Sequence, residues 1–138
     1  MLTVVAALIE SDGKLLVCQR RRGTAFELMW EFPGGKLQTG ETPAQGLARE
    51  LREELGVEAE IGAEAYRTRH KYAQWAEPIE VIFLTAQTNA QRIQNIIFER
   101  IEWREPHRLT ELNFLPADRE FVAILAQQNL NAKWRSSG

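Results

Sequence analysis

The order of apolar and polar residues along the chain predicts several strands and two long helices. Apolar residues alternate with polar ones, or run together for a few positions, in five segments of strand character. These segments are residues 3–10, 14–20, 57–72, 78–86 and 101–104. The first two flank the turn Ser11-Asp12-Gly13 and are expected to pair as a hairpin. Residues 117–128 instead repeat apolar side chains at helical spacing, which indicates an amphipathic helix.

The strongest helix signal covers residues 43–55. Thr42 and Gln45 have the spacing of a capping box, and Pro43 stands at the first helical position, where its missing N–H costs nothing. Gly56 suits the left-handed residue that commonly ends a helix. The apolar positions within the segment recur every three or four residues and are Ala44, Leu47, Ala48, Leu51 and Leu55. Strands interleaved with two long helices indicate an α/β fold whose sheet is covered on both faces.

Three glutamates lie together on this predicted helix. Glu50, Glu53 and Glu54 fall within an arc of about 100° beside the apolar stripe, close to the helix C-terminus. Like charges at this spacing repel one another and oppose the helix dipole. Mg²⁺ or Mn²⁺ would offset the repulsion, because hard cations take carboxylate oxygens and bridge to phosphate. The alternative is a solvated acidic face with Arg49 and Arg52 nearby.

The loop before the helix favours a ligand site. Pro33-Gly34-Gly35 and Gly40 let the backbone turn tightly and approach a ligand closely, which a solvated helix would not require. Loop and helix together form the pattern G-x5-E-x7-R-E-U-x-E-E-x-G-U, in which U is aliphatic. Its restricted positions are Gly35, Glu41, Arg49, Glu50, Leu51, Glu53, Glu54, Gly56 and Val57. This is the Nudix box, and the chain resembles a Nudix hydrolase.

Two further segments are similar to the MutT branch of that family, whose members cleave nucleoside triphosphates. They are Trp30-Glu31-Phe32-Pro33-Gly34-Gly35-Lys36 and Leu115-Pro116-Ala117-Asp118. The resemblance implies a single domain over residues 1–138, built as an α/β/α sandwich with a mixed sheet and two main helices. It also implies Mg²⁺-dependent hydrolysis of (deoxy)nucleoside triphosphates, among them oxidised or modified ones, to a nucleoside monophosphate and pyrophosphate.

The same resemblance assigns roles to residues of the box. The implied metal ligands are Glu50, Glu53, Glu54 and the carbonyl of Gly34 or Gly35, with Mn²⁺ as a substitute for Mg²⁺. Arg49 would orient a metal-binding glutamate, and Glu41 would brace the loop. A metal-activated water would attack the β-phosphorus, assisted by either Glu53 or Glu50 as general base. The catalytic residues are therefore expected to be Glu53, Glu50 and Arg49.

Substrate contacts are implied at three positions. Arg20 would bind phosphate, although any arginine of the tract Arg20-Arg21-Arg22 could equally end a solvated strand, and Lys36 is a second phosphate contact. Asp118 would read the base, or else cap the second helix. An ionised aspartate only accepts hydrogen bonds, whereas a protonated aspartate also donates one. An amine of cytosine or adenine and an oxidised guanine therefore both remain candidate partners.

One position departs from the MutT pattern. Enzymes of that branch commonly supply a further metal-binding glutamate about six residues before a tryptophan such as Trp103, and this chain has Ile97 there. Glu99 would serve instead in a shifted loop, or the site holds fewer metals and Glu99 is an exposed charge at a strand edge.

Length and composition suit a small enzyme. The chain of 138 residues fits one domain, and its net charge of −2 gives no basic surface for duplex nucleic acid or a membrane. Cys18 is the single cysteine, and the apolar run over residues 2–9 is too short to span a bilayer. A cytoplasmic protein is expected, as a monomer or a homodimer.

Two other functions remain compatible with these residues. One is a Nudix hydrolase of another nucleoside diphosphate linkage, such as a nucleotide sugar or a dinucleoside polyphosphate. The other is a non-catalytic nucleotide sensor, which should lack the metal-binding glutamates. Trp75 lies in a polar stretch, where an exposed aromatic side chain indicates a pocket wall or a dimer contact.

Overall fold

A computed structural model describes residues 1–128, so the end of the predicted domain, residues 129–138, lies outside the described part. The strands are β1 (Leu2–Ser11), β2 (Lys14–Gln19), β3 (Trp30–Glu31), β4 (Gly34–Lys36), β5 (Glu60–His70), β6 (Ile79–Gln87) and β7 (Arg100–Arg104). The helices are α1 (Pro43–Leu55) and α2 (Arg119–Gln127). Short 3₁₀ turns occur at Ala90–Arg92, Pro106–Glu111 and Pro116–Asp118.

The strands form one mixed sheet. Its order is β3-β2-β1-β6-β5, with β4 also pairing with β1 and β7 with β2. Strand β1 runs parallel to β6 along most of its length and antiparallel to β4. The predicted hairpin forms, but β1 and β2 pair only beside the turn, at Glu10 with Leu15 and Ser11 with Lys14. Beyond those pairs β4 takes the place of β2 beside β1, at Val4, Val5 and Ala6.

Helices cover both faces of this sheet, as the sequence predicts. Because successive side chains of a strand point to opposite faces, Val5, Ala7 and Ile9 of β1 lie in the core under α1. Ala6 and Leu8 lie in the core on the other face, which α2 covers. The α/β/α sandwich with two main helices is therefore confirmed.

Helix α1 has the predicted bounds and caps. The Thr42 side chain accepts from the Gln45 N–H, the Gln45 side chain accepts from the Thr42 N–H, and Gly56 is left-handed at φ 66°. Leu47, Leu51 and Leu55 are fully buried. Ala44 is exposed, so the apolar stripe begins one turn later than predicted.

Three predicted boundaries are wrong by two or three residues. Helix α2 begins at Arg119 instead of residue 117, because Pro116–Asp118 forms a 3₁₀ turn. Strand β5 covers Glu60–His70 instead of residues 57–72, and Val57 packs in the core under α1 before the strand begins. No helix within residues 1–128 is long and apolar enough to cross a membrane.

Candidate active site

A cavity of about 430 Å³ brings together six of the predicted site residues: Arg20, Gly35, Lys36, Glu50, Glu54 and Asp118. It lies beside the first half of β1, and residues of β4, β6 and α1 also line it. One part is lined by the acidic side chains Glu50 and Glu54 with Gly34, Gly35 and Lys36. The other part is lined by Phe26, Tyr72, Trp75, Leu115, Ala117 and Asp118. These two parts are called here the acidic end and the aromatic end.

The acidic end depends on close packing between α1 and the two glycines of β4. The Gly34 N–H donates to Glu54 Oε1 at 3.1 Å. A Cβ atom on Gly34 would lie 1.9 Å from the Val5 carbonyl oxygen of β1, and one on Gly35 would lie 2.6 Å from the Glu50 carboxylate. Side chains at these positions would push β4 off β1 and displace Glu50. The glycines of the motif thus allow both carboxylates to reach the strand.

Glu50 and Glu54 line the same part of the cavity and interact with each other. Glu54 is buried, with 7% of its surface exposed. Burial raises the pKa of the Glu54 carboxyl far above its ordinary value, and the hydrogen bond and charge of Glu50 raise it further. Two carboxyl groups in contact in a buried position need either a proton or a cation between them. Because every side-chain atom that Glu50 and Glu54 could offer to a metal is an oxygen, the two residues fit a hard divalent cation.

Arg49 ties the acidic end to the loop before α1. Its guanidinium holds both oxygens of Glu41, at 2.7 and 3.0 Å, and donates to Glu50 Oε1 at 2.9 Å. It also reaches the Lys36 carbonyl at 3.1 Å. The hydrogen bond from Arg49 lowers the pKa of Glu41 to about 2. Arg49 thus orients Glu50, and Glu41 also accepts from the Gln38 N–H at 2.7 Å to brace the loop.

Glu53 stands apart from the other two glutamates. Its side chain is 57% exposed, its carboxylate lies 3.2 Å from Arg49 Nη1, and it does not line the cavity. Within residues 1–128, no three Asp, Glu, His or Cys side chains are arranged closely enough to hold a metal ion together. The predicted convergence of three carboxylates is therefore found for Glu50 and Glu54, while Glu53 lies at the rim.

A half-buried ion pair lines the cavity together with both ends. Arg20 Nη1 lies 3.1 Å from Glu31 Oε2, and Arg20 Nε donates to the Ala25 carbonyl at 2.7 Å. Burial raises the pKa of Glu31 to about 7, although the charge of Arg20 opposes the shift. The Glu31 charge in turn raises the pKa values of both Glu54 and Asp118. Sequence reasoning missed Glu31, whose only signal was a carboxylate between the apolar residues Trp30 and Phe32.

The three arginines after β2 have different positions. Arg20 lines the cavity, as expected of a substrate contact, but its guanidinium is bound to Glu31 instead of facing solvent. Arg21 donates to the carbonyls of Ile96 and Phe98, at 3.3 and 3.4 Å. The backbone of Arg22 donates to the Glu99 carboxylate at 3.4 Å. Glu99 does not line the cavity, so the structure does not bring it to the acidic glutamates.

Asp118 lies at the bottom of the aromatic end. It occupies the N-cap position of α2 but makes no side-chain capping hydrogen bond, so the alternative role as a helix cap is wrong. Only 5% of Asp118 is exposed. Burial, and then the charge of Glu31, raises the pKa of Asp118 well above its ordinary value. A protonated Asp118 offers one donor and one acceptor to a ligand.

Aromatic side chains from two loops line the aromatic end together with Asp118. Tyr72 is buried, and its hydroxyl accepts from the Ala117 N–H at 3.3 Å, which holds the turn that carries Asp118. Phe26 and Trp75 pack against Tyr72 with ring centroids 5.1 and 4.9 Å away. Trp75 therefore belongs to a pocket wall, one of the two roles expected from the sequence.

The fold and the cavity define an α/β protein whose α1 helix carries the acidic side chains of the site. Residues 1–125 match the NUDIX domain, and the chain belongs to this family of hydrolases. The predicted family, fold class and kind of enzyme are thereby confirmed.

Known proteins with similar sequences and structures agree. The chain is 34% identical over 135 residues to the 8-oxo-dGTP diphosphatase of Haemophilus influenzae, covering 95% of this chain and 96% of that protein. It is 53% identical over 62 residues to the CTP pyrophosphohydrolase of Escherichia coli, covering 45% of this chain and 46% of that protein. The solution structure of the E. coli ORF135 protein is 32% identical with a TM-score of 0.78, covering 96% and 91% of the two chains. The crystal structure of a MutT protein from Methanosarcina mazei has a TM-score of 0.80 over 96% of both chains at 21% identity, which supports the fold alone.

Proposed function

We propose that this protein hydrolyses (deoxy)nucleoside triphosphates, among them oxidised or modified ones, to a nucleoside monophosphate and pyrophosphate with the help of Mg²⁺. The observation that carries the proposal is that one cavity has both aromatic walls and a pair of carboxylates, Glu50 and the buried Glu54. A nucleotide has the same two parts, a planar base and a chain of phosphates. The relatives named for 8-oxo-dGTP and CTP support a triphosphate as substrate.

Under this proposal, residues of α1 and β4 hold the reacting phosphates. Glu50 and Glu54 would bind Mg²⁺ with the Gly35 carbonyl, and Glu53 would join them from the rim. A bound Mg²⁺ would neutralise phosphate oxygens and make a water a stronger nucleophile. Arg49 keeps the Glu50 carboxylate against Gly35. Because Glu50 lines the cavity and Glu53 does not, Glu50 is the better placed of the two to accept a proton from the attacking water.

Basic residues beside the cavity would complete the binding of phosphate. Lys36 is exposed and lines the acidic end, so its ammonium group can meet an incoming triphosphate. Arg20 lines the cavity between the ends and would contact phosphate if it exchanged part of its bond to Glu31. Mixed positive and negative groups of this kind suit a polyanion that arrives together with a divalent cation.

The base would be read by Asp118 in its protonated form. Its hydroxyl donates and its carbonyl accepts, so it matches a base edge that carries an acceptor next to a donor. Cytosine presents this pair at N3 and the N4 amine, and an oxidised guanine presents it at O6 and N7–H. The proposal therefore covers both kinds of triphosphate.

A panel of canonical and oxidised triphosphates, incubated with Mg²⁺ in H₂¹⁸O, tests the proposal. We expect a monophosphate and pyrophosphate as products, with ¹⁸O in the pyrophosphate because water attacks the β-phosphorus. Release of inorganic phosphate and a diphosphate would contradict it. Cleavage of nucleotide sugars or dinucleoside polyphosphates alone would indicate another diphosphate linkage, and bound nucleotide without turnover would indicate a sensor.

A further inference from the structure

We propose that Trp75 is a specificity-determining residue whose indole ring stacks on the base of the bound nucleotide. This inference rests on the proposed function, since it takes a nucleotide as the ligand of the cavity. It assigns a role to the loop between β5 and β6, which lies outside the Nudix box and supplies no group to the acidic end.

Trp75 is the exposed large aromatic side chain among the described residues. It is 37% exposed, whereas Tyr72 beside it is 6% exposed. The other exposed large apolar side chains within residues 1–128 are aliphatic: Met1, Ile96, Ile97 and Ile124. Of these five exposed side chains, Trp75 is the one that lines the cavity. Part of its surface therefore borders the space where a ligand would bind.

The ring contacts of Trp75 leave room for a stacking partner. Trp75 meets Phe26 at an interplanar angle of 82° and Tyr72 at 62°, so neither contact is a parallel stack. In the core of the same molecule, Tyr66 and Phe121 do stack in parallel, at 3° and 4.6 Å. A planar base at the aromatic end would give Trp75 the parallel contact that Tyr66 obtains from Phe121.

The loop that carries Trp75 is held in place by its own backbone contacts. The Lys71 ammonium group donates to the carbonyls of Tyr72 and Trp75, and the Trp75 N–H donates to the Tyr72 carbonyl at 3.1 Å. Tyr72 in turn is bonded to Ala117, next to Asp118. Tyr72 thus connects Trp75 to the turn that carries Asp118. This connection helps to fix the position of the Trp75 ring relative to Asp118, as base stacking requires.

Binding of reaction products, measured by calorimetry without turnover, separates base stacking from phosphate binding. For Trp75→Ala we expect the dissociation constants of dCMP and dGMP to rise roughly 5-fold to 100-fold, as for loss of one base–aromatic stack. Pyrophosphate, measured with Mg²⁺, should bind within about two-fold of the unmodified protein, because it lacks a base. Trp75→Phe keeps a ring and should recover most of the loss. Gln74→Ala, an exposed neighbour in the same loop, should change neither affinity.

Three outcomes would overturn the role of Trp75. They are unchanged dCMP and dGMP affinities in Trp75→Ala, an equal loss for pyrophosphate, and an altered oligomeric state at unchanged monophosphate affinity, which would make Trp75 a contact between copies. Failure of the intact protein to hydrolyse any triphosphate is a separate result. It would contradict the proposed function, whereas the role of Trp75 would still be decided by the monophosphate affinities.

Discussion

The two ends of the cavity are built in different ways. Glu50, Glu54, Gly34 and Gly35 come from one helix and the short strand just before it, within a stretch of 21 residues (34–54). The aromatic end takes Phe26 from the loop after β2, Tyr72 and Trp75 from the loop after β5, and Asp118 from the turn before α2. The acidic end is thus a local structure, while the aromatic end exists only after distant parts of the chain have packed together.

The forces at the two ends also differ. Charged hydrogen bonds centred on Arg49 hold the acidic end, and aromatic contacts around Tyr72 hold the aromatic end. If chemistry takes place at one end and recognition at the other, substitutions should separate in their effects. Changes at the acidic end should lower turnover, and changes at the aromatic end should alter affinity and the choice of base.

The largest effect is expected for Glu54→Gln. This change removes one carboxylate charge at nearly constant volume, so kcat with Mg²⁺ should fall at least about 100-fold. The affinity for dCMP without metal should stay the same, because Glu54 lies at the other end. Thermal stability in EDTA should not fall, since a buried acid is replaced by a neutral amide. Glu58→Gln serves as the control, because the Glu58 side chain is exposed and lies 3.5 Å from Arg52. Unchanged turnover in Glu54→Gln would refute its role in metal binding.

Arg49→Lys should give the next largest effect. Lysine keeps the charge but cannot hold Glu41 with two nitrogens while it also orients Glu50. The activity should then require roughly 10-fold to 100-fold more Mg²⁺, as is usual when a group that orients a metal ligand is lost. Arg52→Lys on the same helix is the matched control. A Mg²⁺ dependence shared by both variants would show that the Arg49 network has no special part in metal binding.

Asp118→Asn should change the choice of base more than the rate. Asparagine presents a hydrogen-bond donor and an acceptor at any pH, but the donor is an amide instead of an acid hydroxyl. The ratio of the kcat/KM values for cytosine and oxidised guanine triphosphates should therefore shift roughly 10-fold. The kcat on the best substrate should change much less, because Asp118 does not contact the acidic end. An identical substrate profile would remove Asp118 from base recognition.

The smallest expected effect is on the pH dependence of stability. Because burial raises the pKa of Asp118 in the folded state, the folded protein keeps a proton that the unfolded chain releases. Its stabilising contribution is complete below the ordinary pKa and is lost as the pH rises toward the raised pKa. Asp118→Asn cannot titrate, so its unfolding free energy, relative to the unmodified protein, should increase between about pH 5 and about pH 8. Urea denaturation in EDTA measures this difference, and parallel pH curves would contradict a buried, protonated Asp118.

The contrast between the ends also explains what could be predicted from the sequence. The caps of α1, its bounds and the burial of Leu47, Leu51 and Leu55 follow from local spacing, and each was confirmed. The meeting of Glu50 with Glu54 follows in the same way. By contrast, the position of Glu53 at the rim depends on how α1 turns against β4, which no spacing along the helix determines.

Residues of the aromatic end gave weaker signals for a physical reason. The Tyr72 contact with Ala117 spans 45 residues, and the charge of Glu31 acts on Asp118 only because the sheet brings them together. The α2 boundary was misjudged because a 3₁₀ turn and an α-helix have similar apolar spacing over three residues. The contact of Tyr72 with Ala117 and the charge interaction of Glu31 with Asp118 exist only in the folded chain, so local sequence patterns do not indicate them.

A crystal structure with Mn²⁺ and a non-hydrolysable nucleoside triphosphate tests the central claim most directly, because anomalous scattering locates the metal. We predict a metal between the phosphates and the carboxylates of Glu50 and Glu54, with the base between Trp75 and Asp118. A structure in which those carboxylates bind no metal, or in which the base lies at the acidic end, would contradict the account.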